Sequence, residues 1–138
     1  MAKEKKIKVL LAQFPLETHS RGIITVAGML RDAGMEVVLM GNARPEQIVR
    51  VAVQESADVV GISTYCGGEL VLGKELMRSA EKEGIKDNTV FVLGGIFPPK
   101  SGPLLVKLGF SAAFPPSTSK EEIVENIKAA LTVKQGGC

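Results

Sequence analysis

Apolar runs of strand length alternate with stretches of helical period from one end of the chain to the other. Residues 7–12, 37–40, 59–63, 90–93 and a short 112–114 read as five strands, rich in Val, Ile and Leu. Between them, residues 22–33, 45–55, 69–83, 102–108 and 120–131 carry apolar side chains at spacings of three and four, as in Ile48, Val51 and Ala52 or Ile123, Ile127 and Ala130. These read as five helices.

The residues between the periodic stretches agree with those boundaries. Gly34, Gly84 and Gly109 fall just past the first, third and fourth helices, where a left-handed cap suits glycine. Pro45 opens the second helix in its favoured first turn, and Ser119 ahead of Glu121 and Glu122 supplies a cap and acidic residues for the last. Lys134-Gln135-Gly136-Gly137-Cys138 reads as a frayed tail.

Strand and helix in strict alternation require right-handed crossovers and a parallel sheet covered on both faces. The expected architecture is a doubly wound α/β domain of flavodoxin-like order, 2-1-3-4-5, spanning residues 7–132 between a leader at 1–6 and a flexible tail at 133–138. Ligands of such sheets bind beyond the carboxyl ends of the strands, near the switch between strands one and three. The loops that count are therefore 13–21, 64–68, 94–101 and 115–119.

Composition narrows the class without changing it. The chain has 138 residues, enough for one core and too few for two, and with no Trp and one Tyr that core is aliphatic. A net charge of +2, with basic residues scattered beyond Lys3, Lys5 and Lys6, argues against a nucleic-acid or acidic-membrane partner. No apolar run approaches the roughly 18 residues that span a bilayer, and Met1-Ala2-Lys3-Glu4 leads directly into a strand, so a cytoplasmic location is expected. Cys66 and Cys138 cannot form a disulfide framework and have no metal-ligand spacing; reduced thiols are expected at both.

The first loop holds the only histidine, His19, two residues after Glu17. A neutral imidazole is a good transition-metal ligand, and a neighbouring carboxylate can take the proton of its far nitrogen and fix the tautomer. A solvent-exposed loop histidine without a role is equally compatible with that spacing. Gly61-Ile62-Ser63-Thr64-Tyr65-Cys66-Gly67-Gly68 ends the third strand with hydroxyls that can bond a heterocycle and glycines that allow close approach or merely a tight turn. Cys66 on this face is either reactive or a small buried hydrophobe. The fourth strand ends in Gly94-Gly95, where paired glycines suggest something large lying flat against the backbone. No GxGxxG, Walker or serine-elbow pattern occurs, and Glu121 with Glu122 reads as a solvated helix surface.

Together these loops resemble the cobalamin-binding domain of adenosylcobalamin-dependent acyl-CoA mutases, whose pattern is DxHxxG, then SxL, then GG. The matching segments are Glu17-Thr18-His19-Ser20-Arg21-Gly22, Ser63-Thr64-Tyr65 and Gly94-Gly95, in the same order and on the same strand ends. The resemblance runs from about Ile7 to Leu131. Leu30-Arg31-Asp32-Ala33-Gly34-Met35-Glu36-Val37 and Pro45-Glu46-Gln47-Ile48-Val49 resemble the methylmalonyl-CoA mutase branch in particular. Glu17 stands where the family has Asp, Tyr65 where it has Leu, and Pro15 and Thr18 where glycines are common. Pro115-Pro116-Ser117-Thr118 stands where the family tends to read Gly-Pro-Gly-Thr.

The resemblance implies a corrinoid held base-off and His-on, with its nucleotide tail in a slot between sheet and helices. It assigns His19 as the cobalt ligand, Glu17 as the group that orients its imidazole, Ser63 as the partner of the buried base, and Gly94 and Gly95 as the lining of the slot. Ser20, Arg21, Gly22, Tyr65 and Thr118 complete the expected cofactor-binding set, with no catalytic residue of its own. The implied protein is the cobalamin-binding small subunit of an adenosylcobalamin-dependent acyl-CoA mutase, a carbon-skeleton isomerase. The acyl-CoA would bind a separate large subunit, because a (β/α)8 barrel of about 250 residues does not fit in this chain. A hetero-oligomer, inactive as the small subunit alone, is expected. Two other readings share the fold: a scaffold or regulatory subunit that no longer binds cobalamin, and a corrinoid methyl carrier, which usually brings an amino-terminal helical bundle that is missing here.

Overall fold

The fold is described from a computed structural model covering residues 6–15, 17, 21–65 and 67–136, with backbone only at 135 and 136. Elements alternate in chain order: β1 (Lys8–Gln13), α1 (Arg21–Asp32), β2 (Glu36–Asn42), α2 (Pro45–Glu55), β3 (Val59–Thr64), α3 (Glu69–Lys82), β4 (Val90–Gly95), α4 (Ser101–Leu108), β5 (Ala112–Phe114) and α5 (Lys120–Gly136). Every strand pairing is parallel and the sheet order is β2-β1-β3-β4-β5, the flavodoxin-like order expected from the alternation.

β3 lies at the centre of the sheet and all its positions are buried, which is why it reads as a continuous apolar run. The period of two still operates within such runs, because successive side chains enter different cores. Leu10, Ala12, Val60, Ile62, Phe91 and Leu93 point to one face and pack with Ile48, Val49 and Ala52 of α2, Leu76 and Ala80 of α3, and Leu105 of α4. Val9, Leu11, Val59, Val90 and Val92 point to the other and pack with Ile23, Ala27 and Leu30 of α1 and Ile123, Ile127 and Leu131 of α5.

The two cores differ in filling. The first holds the buried rings of Phe14, Phe91 and Phe110. The buried members of the second are aliphatic or Met, and its sheet side includes the side-chain-free positions Gly61 and Gly94. Small residues on one face leave room there, which positions the site described below.

Helix ends follow the capping chemistry read from the residues. Pro45 is the first residue of α2, and Gln47 reaches back to accept from the Arg44 amide at 3.0 Å. At the start of α5 the Glu122 amide donates to the Ser119 hydroxyl at 3.1 Å. That helix does not stop at Leu131: it runs to Gly136, so residues 134–136 are helical where a frayed tail was expected. The reason is tertiary. Lys134 Nζ donates to the carbonyls of Lys86 at 2.8 Å and Thr89 at 2.6 Å, anchoring the last turn to the start of β4. Cys66 and Cys138 lie outside the described residues. Among the described residues, no helix is long and apolar enough to cross a membrane.

Candidate functional site

At the carboxyl ends of β1, β3, β4 and β5 a cleft of about 530 Å³ opens between the sheet and helices α1 and α5. Its depth is apolar, lined by Leu11 and Val92 from the sheet, Val26 from α1, and Ile123 and Ile127 from α5. Its outer end carries the polar and small residues: Arg21 and Gly22 at the start of α1, Ser63 and Tyr65 from the end of β3, Gly94 and Gly95 from β4, and Ser117 and Thr118 from the loop before α5. An apolar interior with a few convergent polar groups at one end is the form of a small-molecule or cofactor site.

The glycines of β4 sit there for different reasons. Gly95 has φ +135°, and a Cβ there would run into the carbonyl of Thr64, which accepts from the Ile96 amide at 3.1 Å. Only glycine allows that crossing. Gly94 is under no such constraint: the nearest atom to a Cβ there is the Phe114 carbonyl oxygen at 3.7 Å, an ordinary contact. Its missing side chain leaves the cleft floor open rather than relieving a clash. Gly61, two residues before Ser63 on the same face, deepens the same floor, with only the end of the Leu11 side chain within 2.7 Å of a Cβ placed there.

Tyr65 crosses the cleft mouth to α1. A Cβ on Gly22 would overlap the Tyr65 hydroxyl, so the glycine at the end of the first motif makes room for the phenol of the second. The backbone of Tyr65 is held from beneath: its amide donates to Glu17 Oε2 at 2.5 Å, and Glu17 is buried. The loop bearing Glu17 is pinned further by Asn42 at the end of β2, whose Nδ2 donates to the carbonyls of Phe14 at 3.0 Å and Glu17 at 2.6 Å. Phe14 itself is buried in the opposite core. On the far side, Thr118 Oγ1 donates to the Pro115 carbonyl at 2.6 Å, and Ser117 adopts φ +72°. Ser117 stands where the resemblance has a glycine, and here a left-handed conformation falls on a residue that makes it less easily than glycine.

Seven of the residues expected to bind a cofactor therefore line one cleft: Arg21, Gly22, Ser63, Tyr65, Gly94, Gly95 and Thr118. Glu17 lies behind it, bonded to Tyr65. His19 and Ser20 lie outside the described residues, in the loop that Glu17 and Arg21 bracket. Asn42, Gly61 and Phe114 were not singled out from sequence; an asparagine at a strand's carboxyl end and a glycine within a buried strand were the available signals.

A fit to a corrinoid tail can be tested on these walls. A benzimidazole is flat and apolar with one ring nitrogen to satisfy, and the cleft offers an aliphatic depth, the Ser63 hydroxyl on its wall, and a floor at Gly94 that a Cβ would fill. The residues present fit the group. Among the described residues no three His, Cys, Asp or Glu side chains are gathered to hold a metal ion.

Comparison with known proteins gives the family and the fold. The model of the B12 binding domain family matches residues 7–125. The 2-hydroxyisobutanoyl-CoA mutase small subunit of Aquincola tertiaricarbonis is 33% identical over 129 residues, covering 93% of this chain and 94% of the relative. The pivalyl-CoA mutase small subunit of Xanthobacter autotrophicus is 36% identical, covering 91% of this chain and 84% of the relative. Methylmalonyl-CoA mutase of Escherichia coli is 32% identical over 89% of this chain, which corresponds to 17% of that much longer protein. Among solved structures, a cobalamin-binding protein from Desulfitobacterium hafniense superposes with a TM-score of 0.77 at 21% identity, over 91% of this chain and 59% of that one. At that identity the likeness is one of fold.

Proposed function

The chain belongs to the B12-binding domain family, and from that premise we propose that it is the cobalamin-binding small subunit of an adenosylcobalamin-dependent acyl-CoA mutase. The observation that carries the reading is the cleft itself. Three separated motifs converge on one apolar slot whose floor is left open at Gly94, where a Cβ would meet nothing nearer than 3.7 Å. A scaffold that had lost the cofactor would have no use for an apolar cleft of about 530 Å³, since a cleft of this kind forgoes packing contacts.

In this reading His19 is the lower cobalt ligand and the corrinoid is held base-off. Glu17, buried and two residues from His19, orients that imidazole through its far nitrogen. Ser63 bonds the base, while Arg21, Gly22, Gly94, Gly95 and Thr118 enclose the tail. When bound, the cofactor supplies the radical chemistry of the carbon-skeleton rearrangement; this chain binds and orients it and tunes it through the axial ligand. The acyl-CoA binds a large barrel subunit, and the two assemble as a hetero-oligomer in the cytoplasm. The small-subunit names of two relatives covered almost end to end support that division of labour.

The test uses untagged protein, in which His19 is the only histidine. Incubation with hydroxocobalamin followed by removal of free ligand should leave about one corrinoid per chain. After reduction to the Co(II) form, labelling the protein with ¹⁵N-histidine should change the nitrogen splitting in the electron paramagnetic resonance spectrum, and His19→Ala should abolish that dependence. No retained corrinoid in the wild type would overturn the function, and an unaltered splitting would overturn the His-on assignment alone.

A further inference from the structure

From β3 outward the wall of the cleft runs from Gly61, flanked by Leu11 and Val92, to Ser63 nearer the end and Tyr65 at the mouth. Tyr65 is half-buried and lies against Gly22, so its ring spans the opening from β3 to the first turn of α1. Its main chain is fixed by the bond from its amide to the buried Glu17 carboxylate. This side chain stands where the resembled family carries a leucine, and leucine has no polar atom to offer there.

We propose that Tyr65 is a specificity-determining residue that closes over the polar neck of the cofactor's nucleotide tail and donates its phenolic hydrogen to the sugar–phosphate. The proposal rests on the corrinoid reading above. A nucleotide tail that puts its base in the aliphatic depth and leaves its corrin outside must pass its ribose and phosphate through the mouth. A tyrosine has an apolar body and a polar tip, which suits that boundary. The chain thereby discriminates complete cobalamin from cobinamide, which lacks base, ribose and phosphate. Gly22 serves the same purpose from the other side, because any side chain there would displace the phenol.

Two corrinoids and one conservative variant test this. Dissociation constants for cobalamin and cobinamide are measured by equilibrium dialysis on wild type and Tyr65→Phe, which keeps the ring and removes only the hydroxyl. Loss of one such hydrogen bond should weaken cobalamin about 3- to 10-fold and leave cobinamide unchanged. Because Tyr65 is the sole tyrosine, ¹³C-tyrosine labelling yields a single ring signal that should shift with cobalamin and not with cobinamide. Equal cobalamin affinity of wild type and Tyr65→Phe, or equal weakening for both corrinoids, overturns the role of Tyr65 while leaving the corrinoid reading intact. Failure of the wild type to bind either corrinoid overturns both.

Discussion

The amide of Tyr65 donates to the carboxylate of Glu17 at 2.5 Å, tying the end of the central strand to the loop that leaves its neighbour. The bond joins the first and second sequence motifs through a buried acid, so each loop's position depends on the other.

Removing that acid should be felt in stability before it is felt in chemistry. Glu17→Ala leaves the Tyr65 amide without this acceptor, a loss of about 1.5–3 kcal/mol for a bond to a charged group. In a domain of this size each kcal/mol corresponds to about 3–6 °C in thermal midpoint. Glu17→Asp keeps the charge one methylene short of the amide and should fall between wild type and Glu17→Ala. Circular dichroism melts check the order, and a wild-type midpoint for Glu17→Ala would show that the bond carries no stability.

The two glycines of β4 should separate folding from binding. Gly95→Ala forces a Cβ into the Thr64 carbonyl at φ +135° and should destabilise by about 3 kcal/mol or more, enough to lower soluble yield sharply. Gly94→Val should fold, within about 1–2 kcal/mol of wild type, because the nearest atom to its Cβ is the Phe114 carbonyl oxygen at 3.7 Å, an ordinary contact. Its side chain fills the cleft floor instead, so retention of cobalamin should drop at least tenfold. If Gly94→Val retained cobalamin as the wild type does, the slot would not be where the tail lies.

Lys134 has a pH signature as well as a structural one. Its ammonium donates to the carbonyls of Lys86 and Thr89 and lies 5.9 Å from the centre of the Phe91 ring. Burial pushes its pKa below the ordinary 10.5, outweighing the nearby Asp87, which raises it. Between that lowered value and 10.5 the unfolded chain binds more protons than the folded one, so this group makes stability rise with pH across that window. Lys134→Met should lose that component and, at neutral pH, about 1–3 kcal/mol from the two carbonyls left unpaired. Urea unfolding of both proteins at pH 7 and through the alkaline range reads both effects; identical curves would dismiss the clamp.

Much of the architecture was legible because it depends on local chemistry. The alternation of Val, Ile and Leu runs with helical stretches, Pro45 at a helix start and Ser119 as a cap all act within a few residues of themselves, and five alternating strands suit the flavodoxin-like order that the sheet has. The extension of α5 was not legible. Gly136 and Gly137 are poor helix formers, and what holds the last turn is Lys134 reaching carbonyls more than forty residues away in the chain.

The site divides in the same way. From sequence alone came the chemical types and their order: a histidine beside an acid, hydroxyls at the next strand end, paired glycines at the one after. Those are properties of residues and spacing, and parallel strands oblige all three to meet at one edge. Tertiary structure decided what each residue does there. That Gly95 is required by the chain and Gly94 is not, that Gly22 yields space to the Tyr65 phenol, and that Glu17 accepts from the Tyr65 amide are contacts between segments far apart in sequence. Such contacts depend on ångström distances across the sheet, which no pattern along the chain encodes, and they turn a family motif into this protein's particular cleft.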